Sequence, residues 1–130
     1  MSEYVVSYPG EIARLEQGEC LNFMPKVQAE SVDVVVTSSP YNLGVIYNSY
    51  DYSGSREDYE EWIRMWAREG LRVLSSEGSP FLNMGGKPSN PWVPIDTATW
   101  SRDEGFKLQN VTHWIKSIAI TEAKEASNGV

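Results

Sequence analysis

The apolar positions change period along the chain, and the changes mark out its elements. Val32-Asp33-Val34-Val35-Val36 is nearly unbroken and β-branched. That is the pattern of a strand buried on both faces, within a parallel sheet covered by helices. Over residues 57–74 the period becomes helical. Tyr59, Trp62, Ile63, Trp66, Val73 and Leu74 recur at that spacing, predicting an amphipathic helix with Trp62, Ile63 and Trp66 in the core. Ser55 followed by Asp58 supplies an N-terminal capping box, with Asp in place of Glu. Ser75-Ser76-Glu77-Gly78 ends the helix. Residues 80–84 read as a second strand, stopped by Gly85-Gly86-Lys87-Pro88.

The outer signals are shorter. Residues 12–17 read as a strand closed by Gly18, and residues 21–28 as a short helix limited by Pro25. A third helix is predicted over 94–104, stopping at Gly105. Residues 107–120 read as a further strand or two short ones, and 121–130 as a polar tail. Residues 42–54 carry neither period and read as a surface loop long enough to suggest function. The alternation predicts an α/β fold with right-handed crossovers, one domain over 1–120 followed by the tail 121–130.

Composition narrows the function classes. At 130 residues and 41% apolar content the chain suffices for one modest core, and a disordered reading is excluded. No apolar run approaches 18 residues, so no membrane span is expected. Met1 to Gly10 lacks a basic region and a continuous apolar stretch, so no signal peptide is expected either. The single Cys20 cannot form an internal disulfide, which suits a reducing cytoplasm. The net charge of −7 is the wrong sign for simple nucleic-acid binding. His113 stands without a second His or Cys at ligand spacing, so no metal site is expected.

The chemistry is concentrated after the buried strand. In open parallel sheets, ligands bind beyond the carboxyl ends of the strands, where Thr37-Ser38-Ser39-Pro40-Tyr41-Asn42 lies. Pro40 pushes Ser39 into an extended conformation and so aims its carbonyl. Ser38 adds a hydroxyl and Tyr41 a planar face. Together they could hold an exocyclic amino group while an aromatic ring stacks on its base.

This hexapeptide resembles the catalytic motif, usually Ser-Pro-Pro-Tyr or Asp-Pro-Pro-Tyr, of the N4-cytosine and N6-adenine DNA methyltransferases. Gly18-Glu19-Cys20-Leu21 and Ser31-Val32-Asp33-Val34-Val35-Val36 are similar to that family's lead-in. Gly78 to Gly85 resembles its next strand, and Asn110 to Ser117 a later one, so the resemblance covers residues 12–118. It implies a partial doubly wound, Rossmann-like methyltransferase fold with a mostly parallel sheet and helices on both faces.

The resemblance also implies a chemistry. The partner would be double-stranded DNA with its target base flipped out, and the methyl donor S-adenosylmethionine. Ser38, Ser39, Pro40 and Tyr41 would be the catalytic residues. Ser38 and the Ser39 carbonyl would accept hydrogen bonds from the amino group, Tyr41 would stack, and no covalent intermediate would form. Cys20 is then not a nucleophile. Glu19 would approach the donor or the base, with helix capping as its plain structural alternative. Asn42 and Lys116 would touch substrate, against the alternatives of a surface loop and an ordinary exposed lysine. Serine at the first motif position leans toward N4-cytosine over N6-adenine, and an RNA base is the related alternative.

Two departures stand out. Ser39 occupies the place of the first proline of the motif, which predicts reduced activity rather than a lost site. The family's Phe-x-Gly-x-Gly donor loop does not occur in the 130 residues, and Gly85-Gly86 follows the wrong strand to be it. The alternative to an enzyme is therefore a non-catalytic fragment or split half, whose second polypeptide would supply the cofactor half.

Overall fold

The structure, a computed structural model, describes residues 3–8, 11–42, 46–47, 50–51 and 54–115. Its centre is a parallel pair, β3 (Val32–Thr37) and β6 (Leu74–Leu82), joined through helix α2 (Arg56–Val73). Ser55 caps α2 as its sequence predicts, its side chain accepting from the Asp58 amide at 3.1 Å. The helix ends where Leu74 turns extended. Val32 then faces Leu74 but Val34 faces Ser79, so residues 75–78 bulge from the pair before the ladder resumes. Only glycine fits at the end of that bulge, because a Cβ on Gly78 would sit 2.9 Å from the Val32 carbonyl oxygen.

The core lies between α2 and α3 (Val93–Asp103), the latter starting after Trp92 with Pro94 in its first turn and closed before Gly105. Ile63, Trp66, Ala67 and Val73 from α2 and Val93, Thr97 and Trp100 from α3 are all buried. Tyr59 packs edge-on against Trp100 with centroids 5.9 Å apart, and Trp66 stacks on Phe106. Arg64 and Arg68 both reach Glu104 at the rim, at 3.0 and 2.7 Å. These partly exposed pairs orient the two helices more than they stabilise them. Trp62 departs from the expected core role. It is only half-buried, because its indole N–H is turned out to a carboxylate.

Other expectations need correction. Residues 12–17 belong to a hairpin, β2 (Glu11–Glu16) pairing antiparallel with an unforeseen β1 (Glu3–Tyr8). The helix expected over 21–28 is one turn, α1 (Cys20–Phe23), followed by a 3-10 turn Met24–Lys26 that accommodates Pro25 at its start. The loop after Asn42 contains a two-residue hairpin, β4 (Ile46–Tyr47) with β5 (Tyr50–Asp51). Residues 106–115 form no strand and are mostly exposed, since a strand needs a neighbouring strand to take its hydrogen bonds and none pairs with them among the described residues. The rest of that expected strand, and the tail, lie outside the described residues.

The α/β character stands, but among the described residues the parallel part is two strands and the other two sheets are antiparallel. β3 is also not buried on both faces. Val34 is 54% exposed and Val36 76%, and Phe81 beside Val36 is 60% exposed. Nothing in the described residues covers that side of the pair. No helix among the described residues is long and apolar enough to cross a membrane.

Candidate active site

Parallel pairing sets the motif against the end of the next strand. The ladder runs one step past β6, where the Asn83 amide donates to the Thr37 carbonyl at 2.9 Å. That bond places residues 38–41 opposite residues 83–85, and three contacts follow. The Tyr41 hydroxyl donates to the Asn83 carbonyl at 3.2 Å, and the Asn83 side-chain amide donates back to it at 3.3 Å. The Ser39 hydroxyl donates to the Met84 sulfur at 3.0 Å. The Tyr41 ring lies against Gly85, where a Cβ would come within 3.2 Å of Cε2. The pair Gly85-Gly86 thus backs the aromatic ring of the motif.

The four motif residues divide by exposure. Ser38 is exposed, with its oxygen 2.8 Å from the Tyr41 hydroxyl. Ser39 is buried, and its bond to Met84 ties down a position where a proline would otherwise supply stiffness. The Pro40 carbonyl accepts from the Tyr59 hydroxyl at 2.6 Å. Burial pushes that phenol above its ordinary value, so it stays protonated and keeps donating at physiological pH. Thr97 of α3 stands 3.4 Å from the same hydroxyl. The α2–α3 core therefore holds the motif from behind. Asn42 then takes a left-handed backbone, φ 47°, which asparagine tolerates.

Glu19 precedes α1 but makes no side-chain cap bond, so the capping alternative fails. Its Oε1 instead accepts from the Trp62 indole at 3.3 Å and from the Cys20 thiol at 3.4 Å. Trp62 lies one turn beyond Tyr59, so one face of α2 steadies both the motif and Glu19. Cys20 is pushed up from 9.0 to about 11, by burial first and then by the Glu19 carboxylate. Its thiolate population at pH 8 is then about a hundredfold below that of an ordinary thiol. Iodoacetamide should label it correspondingly slowly; labelling as fast as a free thiol would show that Cys20 is not held half-buried beside Glu19. Lys116 lies outside the described residues.

Tyr59, Asn83, Met84, Gly85 and Thr97 are the contributors that sequence reading missed. One signal was available for three of them, since residues 83–85 follow a strand predicted to run parallel to the first.

Comparison with known proteins matches the sequence to a family. A family model described as DNA methylase, of the N6/N4 methyltransferase type, covers residues 32–129. The chain belongs to the N6/N4 DNA methylase family. It is 36% identical over 92 residues to the type II methyltransferase M.MjaVI of Methanocaldococcus jannaschii, covering 65% of this chain and 45% of that protein. It is 28% identical over 116 residues to the type II methyltransferase M.ScaI of Streptomyces caespitosus, covering 87% of this chain and 37% of the other. The DNA adenine methyltransferase YhdJ of Escherichia coli is 25% identical over 88 residues, covering 68% and 30%. The chain thus spans less than half the length of these curated relatives. Among DNA methylase residues described above, the motif, Tyr59, residues 83–85 and Thr97 fall inside the family match, whereas Glu19 precedes it.

Proposed function

We propose that the chain carries the target-base site of a DNA amino-methyltransferase that uses S-adenosylmethionine, with cytosine N4 favoured over adenine N6. The carrying observation is the exposed Ser38 oxygen at the carboxyl end of β3, beside a Tyr41 ring fixed on Gly85. Ser38, Ser39, Pro40 and Tyr41 are the catalytic set. A flipped base stacks on Tyr41, and the Ser38 oxygen and the Ser39 carbonyl accept its amino hydrogens. Those bonds draw the nitrogen lone pair out of ring conjugation toward the incoming methyl group. The Pro40 carbonyl is already engaged by Tyr59, so it does not compete.

Bound S-adenosylmethionine supplies a methyl group activated on a sulfonium. Ser38 and the Ser39 carbonyl would hold the amino nitrogen toward that methyl group, and the proton that the nitrogen sheds would pass to water. Glu19 fits a contact to the donor, because both bonds to its carboxylate go to Oε1. Gly85 and Gly86 do not fit a donor loop. The first backs Tyr41, and a Cβ on the second would meet the Asn90 carbonyl at 2.9 Å. Positioning and hydrogen bonding carry this chemistry, with no nucleophilic side chain. The type II methyltransferases among the relatives favour a role in DNA modification, which we read as acting on double-stranded DNA in the cytoplasm. We read the α/β unit as part of the doubly wound methyltransferase fold.

A second reading rests on the open side of the parallel pair. Val34, Val36 and Phe81 are what a second polypeptide carrying the cofactor half would cover. Calorimetric titration of the chain with S-adenosylmethionine separates the two. Stoichiometric binding is the expected result, whereas no binding together with self-association would favour the second polypeptide.

A further inference from the structure

We infer that Tyr41 and Asn83 place the Ser38 proton so that the site takes an exocyclic amino group and refuses a carbonyl. The inference rests on the base-methylating function proposed above. It follows from counting protons in the cluster. A phenol has one proton and two lone pairs. The Asn83 carbonyl can only accept, and the Tyr41 hydroxyl reaches it at 3.2 Å. The Asn83 side-chain nitrogen can only donate, and at 3.3 Å it occupies one Tyr41 lone pair. Either hydroxyl can donate across the 2.8 Å between Ser38 and Tyr41, but all three contacts form together only when Ser38 donates to the remaining lone pair. Its single proton is then committed inward, and only lone pairs face outward.

The consequence is a sign of selectivity. A carboxylate at this position is an acceptor by nature, but a serine hydroxyl can donate or accept. Left free, it would accept from an amino group and donate to a carbonyl equally well. Cytosine and uracil differ at that atom, as do adenine and hypoxanthine: the first of each pair presents an amino donor and the second a carbonyl acceptor. With its proton held by Tyr41, Ser38 meets a carbonyl with two acceptors face to face, which leaves both unpaired. The ring cannot move off to release it, because Gly85 lies against one side and the motif is anchored by Tyr59 and Met84. Tyr41 and Asn83 are positioning residues here, acting through Ser38.

Equilibrium binding of the full chain to short single-stranded homopolymers tests this without a recognition sequence or a flipping step. The wild-type chain should bind oligodeoxycytidine about tenfold more tightly than oligodeoxyuridine, and oligodeoxyadenosine similarly above oligodeoxyinosine. Tyr41→Phe keeps the stacking ring and frees the Ser38 proton. It should bring each ratio to within about twofold by tightening the carbonyl-bearing partner. A folding defect would weaken both members of a pair instead, and circular dichroism of the variant provides the check. Asn83→Ala keeps the backbone acceptor and should shift the ratios part of the way. A wild-type preference that survives unchanged in Tyr41→Phe overturns the inference and leaves the methyl-transfer reading intact. A wild-type chain that binds none of the four, or binds all alike, overturns that reading and the inference with it.

Discussion

Ser38→Ala is expected to lower the rate of methyl transfer by about 10²–10³-fold, the range seen when one preorganised group is removed from a polar transition-state site. The melting temperature should change little, by about 1 °C, since an exposed side chain away from the core rarely moves stability by more than about 0.5 kcal/mol. Ser38 is exposed, and among the described residues its oxygen bonds to Tyr41. Its loss leaves the motif held as before, through Tyr59 at Pro40 and Met84 at Ser39. Initial rates with saturating DNA, alongside thermal melts, check both halves. Equal rates for variant and wild type would remove Ser38 from the catalytic set.

Trp66→Ala should cost about 3–5 kcal/mol, as large aromatic truncations in packed cores do. Trp66 is 4% exposed, lies beside Ile63 and Ala67, and stacks on Phe106. Domains of this size are stable by only about 5–15 kcal/mol, so one substitution removes a large share. Trp62→Ala should cost much less, because Trp62 is half-buried and its one bond runs to Glu19. Urea unfolding followed by circular dichroism measures both. A Trp66→Ala cost below about 1 kcal/mol would mean that the α2–α3 contact is not the core.

That pair of tryptophans shows what the sequence could and could not say. Helical spacing places Trp62 and Trp66 on one helix, and the Ser55–Asp58 cap and the end near Leu74 were legible from local signals. Spacing does not reveal that a carboxylate 43 residues away draws Trp62 outward. Tyr59 was counted as an apolar position, which its ring satisfies, while its hydroxyl fixes Pro40 from across the core.

The β-branched run of β3 reports a preference for burial, not what lies against it, so the exposure of Val34 and Val36 was invisible. Over residues 107–115, the described part of the strand expected at 107–120, no strand forms, since a strand exists only with a partner. For the site, the motif and its place at a strand's carboxyl end were readable from residues 32–42. The register that sets Asn83 to Gly85 against it is a contact over some 42 residues, fixed by parallel pairing and not by any local pattern.

The position of the transferred methyl group is the most direct test of the site assigned to Ser38–Tyr41. The chain would be incubated with DNA and S-adenosylmethionine labelled on the methyl carbon, and the DNA digested to nucleosides and separated. Label recovered as N4-methylcytosine, and absent with Ser38→Ala, is the predicted result. Label on a ring carbon, label undiminished by Ser38→Ala, or no label in any base would contradict it.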